Sequence, residues 1–236
     1  MKISVIIPVY NEEKRIRDTL IKTQSCLDTL GKDYELIIVD DGSKDNTASV
    51  VSEFIEKNSR IKLFKNGTNR GKGYAVKKGM LNGTGDIFLF SDADMSTPME
   101  TISNMIEYVN KGFDVVIGSR RVEGSRIEIH QNFIRENMGR IFNLLVRLIV
   151  VDGIKDTQCG FKLFTRVAAR KIFELQRLEN FVFDVEILYL AKKLGFKMVE
   201  VPVKWYNSAD SKVHPVKDSV SMFFDLFKIR KVHRNF

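Results

Sequence analysis

Residues 87–95 read Ile87-Phe88-Leu89-Phe90-Ser91-Asp92-Ala93-Asp94-Met95, an apolar run that stops abruptly at two carboxylates. A strand with one solvated face alternates apolar and polar residues, so a run without alternation predicts a strand covered on both faces. Ile3–Val9 and Glu35–Val39 carry the same signature, and Ile61–Phe64 and Val115–Ile117 read as further strands. Helix-period segments at about 12–30, 45–58, 72–82 and 98–111 separate them. The implied order βαβαβαβαβ predicts an α/β fold of Rossmann-like, doubly wound type, a mostly parallel sheet with helices on both faces. In such sheets ligands sit beyond the carboxyl ends of the strands, so the polar residues after each strand are where chemistry is expected.

The chain has 236 residues, 44% hydrophobic and 29% charged, enough for one generous domain. Four prolines, fifteen glycines and no repeat of solenoid length exclude low-complexity and repeat architectures. Cys26 and Cys159 cannot build a disulfide framework, and His130, His214 and His233 are too scattered for a zinc site. The opening MKISVIIPVY flows into acidic, helix-like sequence and reads as a first strand rather than a signal peptide. No stretch reaches the ~18 uncharged apolar residues of a spanning helix.

After the first strand comes Pro8-Val9-Tyr10-Asn11-Glu12, which lacks the GxGxxG of a dinucleotide turn and so excludes the NAD reading. After the second comes Asp40-Asp41-Gly42-Ser43, where a carboxylate can accept from a base or a ribose. The plainer role for Glu12 and Asp45 is helix capping. Gly67-Thr68-Asn69-Arg70-Gly71-Lys72-Gly73 mimics a P-loop, but its spacing is one residue short and Gly73 replaces the Mg²⁺-binding hydroxyl. A glycine-rich loop opening a helix still suits a diphosphate, through backbone N–H groups and Lys72; the plainer reading is a strand-to-helix turn with solvated bases. Asp92 and Asp94, beyond a buried strand, suit a divalent cation with oxygen ligands, Mg²⁺ or Mn²⁺, that bridges a nucleotide diphosphate.

Taken together, IIPVYNE, VDDGSKDNT, NRGKGYAV, SDADM and GSR at 118–120 resemble the family-2 glycosyltransferases of GT-A fold. Asp156–Phe164 (DTQCGFKLF), Phe183–Glu186 (FDVE), Val201–Trp205 (VPVKW) and Ser211–Val213 (SKV) extend the resemblance to the polyprenyl-phosphate branch of that family. Within that branch the dolichyl-phosphate β-glucosyltransferases are the most similar, and the dolichyl-phosphate mannose synthases are near relatives. The resemblance implies metal-dependent, inverting transfer of a hexose, glucose before mannose, from UDP-glucose (or GDP-mannose) to a polyprenyl or dolichyl phosphate. It implies that Pro8, Tyr10, Glu12 and Asp40 line the nucleoside pocket and that Lys72, Asp92, Gln158 and Lys212 serve the nucleotide sugar. Asp92 and Asp94 would hold the metal, Arg120 and Arg135 the acceptor phosphate, and Asp184 would position acceptor or sugar hydroxyls. Tyr206 or Asn207 stands where the mannose synthases carry an arginine, and Asp210 where a glycine is usual. Cys159 reads as packed core.

On this reading 1–212 is the transferase domain, with a nucleotide-sugar half to about 120 and an acceptor half beyond. In the latter, 132–150 is an apolar helical segment, Arg166–Leu175 and Val185–Leu194 are helices, and Lys197–Val203 is a strand. Residues 213–236 are expected to form an amphipathic tail, with Val216, Val220, Phe223, Phe224 and Phe227 at helical spacing. Of the formal charge of +8, half falls in 204–236, where seven Lys/Arg face three Asp. That concentration suits an anionic membrane surface and a peripheral position on the cytoplasmic face of a membrane, although such a stripe can equally pack on the domain. Nucleic acid is not an expected partner, because acidic and basic residues interleave through the first half and no binding motif appears. Two other readings stay open: a nucleotidyltransferase, and a glycosyltransferase with a soluble or polysaccharide acceptor.

Overall fold

The structure, a computed structural model, describes residues 1–129, 146, 150–207 and 215–234, the side chains of Ile129 and of 215–223 excepted. Nine strands and seven helices are present among the described residues. The first half runs β1 (Ile3–Val9), α1 (Ile16–Thr29), β2 (Tyr34–Asp40), α2 (Thr47–Ile55), β3 (Ile61–Lys65), α3 (Lys72–Asn82), β4 (Ile87–Ser91), α4 (Thr101–Asn110) and β5 (Val115–Ser119). The second half adds β6 (Arg126–Ile129), β7 (Phe161–Thr165), α5 (Arg166–Leu175), α6 (Phe183–Lys193), β8 (Met198–Pro202), β9 (Lys204–Tyr206) and α7 (Pro215–Val232).

The main sheet has the order β3-β2-β1-β4-β7-β5-β8, and β6 pairs with β9 in a small second sheet. Every position of β2 and β4 is buried, as strands covered on both faces require. Two apolar clusters form the two faces: Ile6, Val39, Phe88, Phe90 and Phe164 lie under α3, α5 and α6, and Val5, Ile38, Leu89 and Val116 face α1, α2 and α4. Edge-to-face ring pairs, Phe90 with Phe183 and Phe164 with Phe173, lock α6 and α5 to the first of these faces.

One feature departs from the sequence expectation of consecutive parallel strands. β5 does not neighbour β4; β7 runs antiparallel between them, with Ser91 opposite Phe161 and Phe90 opposite Lys162. Antiparallel pairing reverses chain direction, so the start of β7 lies beside the carboxyl end of β4. The segment 156–160 is thereby delivered next to Asp92.

At the opposite end of the sheet, Glu35 is buried and accepts from Ser4 Oγ at 2.6 Å, Thr84 Oγ1 at 2.9 Å and Lys62 Nζ at 2.7 Å. Burial pushes this carboxyl up, but the Lys62, Ser4 and Thr84 bonds outweigh it and hold the acid at about 2, below the ordinary range. A depressed acid adds stability above its unfolded pKa and loses that contribution as pH falls toward its folded one. Glu35→Gln is therefore expected to destabilise the protein by about 1–3 kcal/mol near neutral pH. Urea midpoints of the two proteins should converge between about pH 4.5 and 2; a gap independent of pH would show that the charge is not what stabilises.

The expected tail is joined to the domain. Leu226 and Ile229 of α7 are fully buried in the same apolar cluster as α6. Asp225 accepts from Asn180 Nδ2 at 2.5 Å, and His233 Nε2 lies 2.7 Å from Glu186 Oε1. Among the described residues no helix is long and apolar enough to cross a membrane.

Candidate active site

The loops after β1 and β2 are laced to each other. Asn11 adopts a left-handed backbone (φ 53°), donates its N–H to Ser43 Oγ at 2.9 Å and accepts from Lys44 N–H through Oδ1 at 2.8 Å. Asp40, buried at the end of β2, accepts from Ser43 N–H at 3.0 Å. Pro8 pairs with Val39 across the strands, and Tyr10 and Glu12 follow half-buried in the adjoining loop. The Glu12 carboxylate meets Arg15 Nε at 2.5 Å, while its carbonyl accepts from the first turn of α1. Asp45 accepts from Thr47 N–H at 3.0 Å, but it stands one residue before Asn46, the N-cap of α2, so it braces the start of the helix without being its cap.

The glycine-rich loop is organised differently from a phosphate cradle. Asp41 is buried and takes Asn66 Nδ2 at 2.8 Å, Arg70 N–H at 3.0 Å and Gly71 N–H at 2.7 Å. Those two backbone donors are thus spent on a protein carboxylate, and Arg70 itself turns away to pair with Glu179 and stack on Tyr74. Gly71 has φ 106°, and a side chain there would meet Glu179 O at 2.4 Å. For the Arg70 and Gly71 amides the expectation that they hold a diphosphate is corrected accordingly; Lys72 is the side chain the loop presents to Asp92.

Lys72 Nζ lies 2.7 Å from Asp92 Oδ1. Burial lowers its affinity for a proton, but Asp92, Asp184 and Asp94 more than offset this and hold it charged. Asp92 donates its N–H to Gly160 O at 3.0 Å, and Met95 (φ 53°) closes the turn in which Asp94 Oδ1 accepts from Ser96 N–H at 2.9 Å. Burial and the neighbouring Asp92 push the Asp94 carboxyl up. Asp184, in the first turn of α6, is buried against Lys162, whose Nζ is 2.5 Å from its Oδ1. Two ammonium groups, those of Lys72 and Lys162, thus lie among three carboxyl groups at the end of β4.

Donors and space at the end of β4 fit a divalent cation. Asp92 and Asp94 are hard oxygen donors two residues apart, and a side chain at Gly160 would meet Asp92 Oδ2 at 2.0 Å, so the missing Cβ is what seats that carboxylate. Among the described residues no group of three or more His, Cys, Asp or Glu is arranged for a metal. Two carboxylates suit Mg²⁺ or Mn²⁺, ions that complete their shells with water and substrate phosphate oxygens.

Just beyond β5, Arg120 is bidentate to Asp156, Nε to Oδ2 at 2.7 Å and Nη2 to Oδ1 at 2.8 Å, and lies 5.4 Å over the Trp205 ring. Burial would raise the Asp156 carboxyl, yet Arg120 holds it down at about 2. Asp156 in turn is placed by Glu200, which accepts its N–H at 2.8 Å. Gln158 sits half-buried in the same loop, and Cys159 is buried core, its thiol pushed up to about 11 by burial. Arg135 and Lys212 lie outside the described residues, as does nearly all of 132–150. The sequence reading did not single out Asp41, Asp156, Gly160 or Lys162, although all four lie within motifs it quoted.

A mixed, mostly parallel α/β sheet whose strand ends converge on a carboxylate pair, with an ammonium group 2.7 Å from one of the two, suits a metal-bridged diphosphate. The chain belongs to glycosyl transferase family 2, the family whose pattern it matches over residues 4–173. It is 42% identical to a dolichyl-phosphate beta-glucosyltransferase of Dictyostelium discoideum over 97% of this chain and 73% of that protein. The enzyme of the same name from Saccharomyces cerevisiae is 36% identical over 98% of this chain and 75% of its own length. Among solved structures, glucosyl-3-phosphoglycerate synthase from Mycobacterium tuberculosis, crystallised with Mn²⁺ and UDP-glucose, superposes with a TM-score of 0.68 at 18% identity, covering 98% of this chain and 78% of that one. Mannosyl-3-phosphoglycerate synthase from Rubrobacter xylanophilus gives 0.70 at 18% identity, over 100% and 74% of the two chains.

Proposed function

We propose that this glycosyltransferase moves glucose from UDP-glucose to dolichyl phosphate with inversion at the anomeric carbon. The observation that carries the reading is the convergence of Asp92, Asp94, Lys72 and Asp184 on one strand end; near-full-length likeness to dolichyl-phosphate beta-glucosyltransferases supports the donor and acceptor. An oxygen of the acceptor phosphate attacks the anomeric carbon, and the bond to the nucleoside diphosphate breaks. A phosphate monoester is largely dianionic at neutral pH, with a second pKa of about 6, so little general-base help is needed. The difficulty lies in bringing two anions together, which oriented cations relieve.

Lys72 meets charge developing on the leaving diphosphate, and Lys212 is assigned to the same pyrophosphate. Pro8, Tyr10, Glu12 and Asp40 border the nucleoside, and Gln158 borders the sugar nucleotide from the opposite loop. When bound at Asp92 and Asp94, Mg²⁺ or Mn²⁺ supplies Lewis-acid neutralisation of the diphosphate. Arg120 and Arg135 are assigned to the acceptor phosphate, and Asp184 to orienting hydroxyls.

The outer face of α7 supports a location on an anionic membrane surface, where a lipid acceptor lies. Phe224 and Phe227 are 62% and 53% exposed, and Lys228 and Lys231 share their stripe at i, i+4 and i+7. Phe224→Asp combined with Phe227→Asp is expected to reduce co-sedimentation with phosphatidylserine vesicles by at least about tenfold; unchanged sedimentation sinks this placement.

The test of the reaction is purified protein with labelled UDP-glucose or GDP-mannose, dolichyl phosphate, and Mg²⁺, Mn²⁺ or EDTA. Organic-extractable label from UDP-glucose, abolished by EDTA, is expected. Label from GDP-mannose alone reassigns the donor, and no lipid-linked label with either donor overturns the reading.

A further inference from the structure

Lys162 carries a charge at the centre of the main sheet. It lies mid-strand on β7, opposite Phe90 on one side and Ile117 on the other, and is 0% exposed. Taking an ammonium out of water is costly, and such a position ordinarily holds an apolar residue. Its Nζ donates to Asp184 Oδ1 at 2.5 Å and to Cys159 O at 2.7 Å, and it lies 5.9 Å from the Phe90 ring centre.

We propose that Lys162 is a positioning residue for sugar transfer, holding the Asp184 carboxylate as an oriented anion at the head of α6, where it faces Lys72 and Asp92. This rests on the assignment of Asp184 to substrate hydroxyls made above. The charged groups acting on Asp184 are Lys162 from β7, Lys72 from α3 and Asp92 from the loop after β4. Burial, the largest influence, and Asp92 push the Asp184 carboxyl up on balance, and the two ammonium groups and the helix N-terminus oppose that push and favour the anion. Lys72 is already engaged with Asp92, so Lys162 is the cation dedicated to Asp184. The contact to Cys159 O adds direction, because the same ammonium is pinned to the loop that carries Gly160 and seats Asp92. Asp184 is thereby tied to the geometry of the donor side through one buried residue.

Lys162→Met, assayed with UDP-glucose and dolichyl phosphate from about pH 5 to 9, is expected to lower kcat at least about tenfold at neutral pH, with KM for UDP-glucose changed less than about threefold. The acid limb of the rate profile should move up by about one unit or more, and Lys162→Arg should restore its position. In an Asp184→Asn background the same substitution should leave the limb where it is. A lowered melting temperature with unchanged kcat and acid limb overturns the proposal and leaves Lys162 a structural peg. Should Lys162→Met not fold, the neutral pair Lys162→Met with Asp184→Asn decides. A folded double variant supports two charges that answer each other, and an unfolded one overturns the proposal. Full activity of Asp184→Asn alone would instead remove the assignment of Asp184 itself.

Discussion

Asp94→Ala is expected to lower glucosyl transfer by about a thousandfold or more, a loss that raised Mn²⁺ should not restore. The expectation follows from how few acidic groups the protein commits at the end of β4. Asp92 is shared with Lys72 at 2.7 Å, and no cluster of three acidic or imidazole ligands stands behind it among the described residues. Removing Asp94 takes away half of the carboxylate set and leaves a single oxygen donor group already bound to an ammonium. The fold should not suffer. Burial and the charge of Asp92 both push the Asp94 carboxyl up, so its ionised form is held there against the interest of stability. Melting temperature is therefore expected to stay level or rise in metal-free buffer while activity disappears. Mn²⁺ binding followed by electron paramagnetic resonance should weaken in parallel with transfer. Retention of wild-type rates, or a loss of activity explained by unfolding, would remove Asp94 from its assigned role.

The parts of this site that sequence exposes are those written in uninterrupted local patterns. β1, β2 and β4 are nearly continuous apolar runs, broken before their ends only by Ser4 and Glu35, so those ends, and with them Asp40, Asp92 and Asp94, are located to within a residue. β7 is not legible in this way. Its five residues include Lys162, and nothing in a local window says that this lysine is buried, because its partner Asp184 lies on a later helix. The antiparallel insertion of β7 depends on long-range pairing with β4 and β5, which periodicity does not encode. Asp41 illustrates a similar limit. Sequence places two adjacent carboxylates at a strand end, but that Asp41 claims the amides of Arg70 and Gly71 depends on where the next strand returns. The resemblance to a family pointed to the DTQCGFK segment without saying why it is needed. The structure supplies a reason: Asp156 orients Arg120, Gly160 makes room for Asp92, and Lys162 holds Asp184.

Gly160→Ala tests that account most sharply, because it adds one methyl group and no charge. The new Cβ would sit 2.0 Å from Asp92 Oδ2 and 2.4 Å from its Cγ, far inside van der Waals contact. Either the Asp92 carboxylate swings away or the 156–160 loop retreats from β4, and the second option breaks the Asp92 N–H bond to Gly160 O at 3.0 Å. Both outcomes displace the carboxylate that pairs with Lys72 and that is proposed to hold the metal. Because the loop is anchored by the buried pairing of Asp156 with Arg120 and by β7 itself, Asp92 is the softer element and should move first. Transfer is expected to fall by about a hundredfold or more, with the global fold retained. The discriminating measurement is Mn²⁺ affinity compared with UDP binding in EDTA. Displacement of Asp92 weakens the first and spares the second, whereas collapse of the loop weakens both. Wild-type Mn²⁺ affinity in Gly160→Ala would show that the close approach of Gly160 to Asp92 has no functional weight.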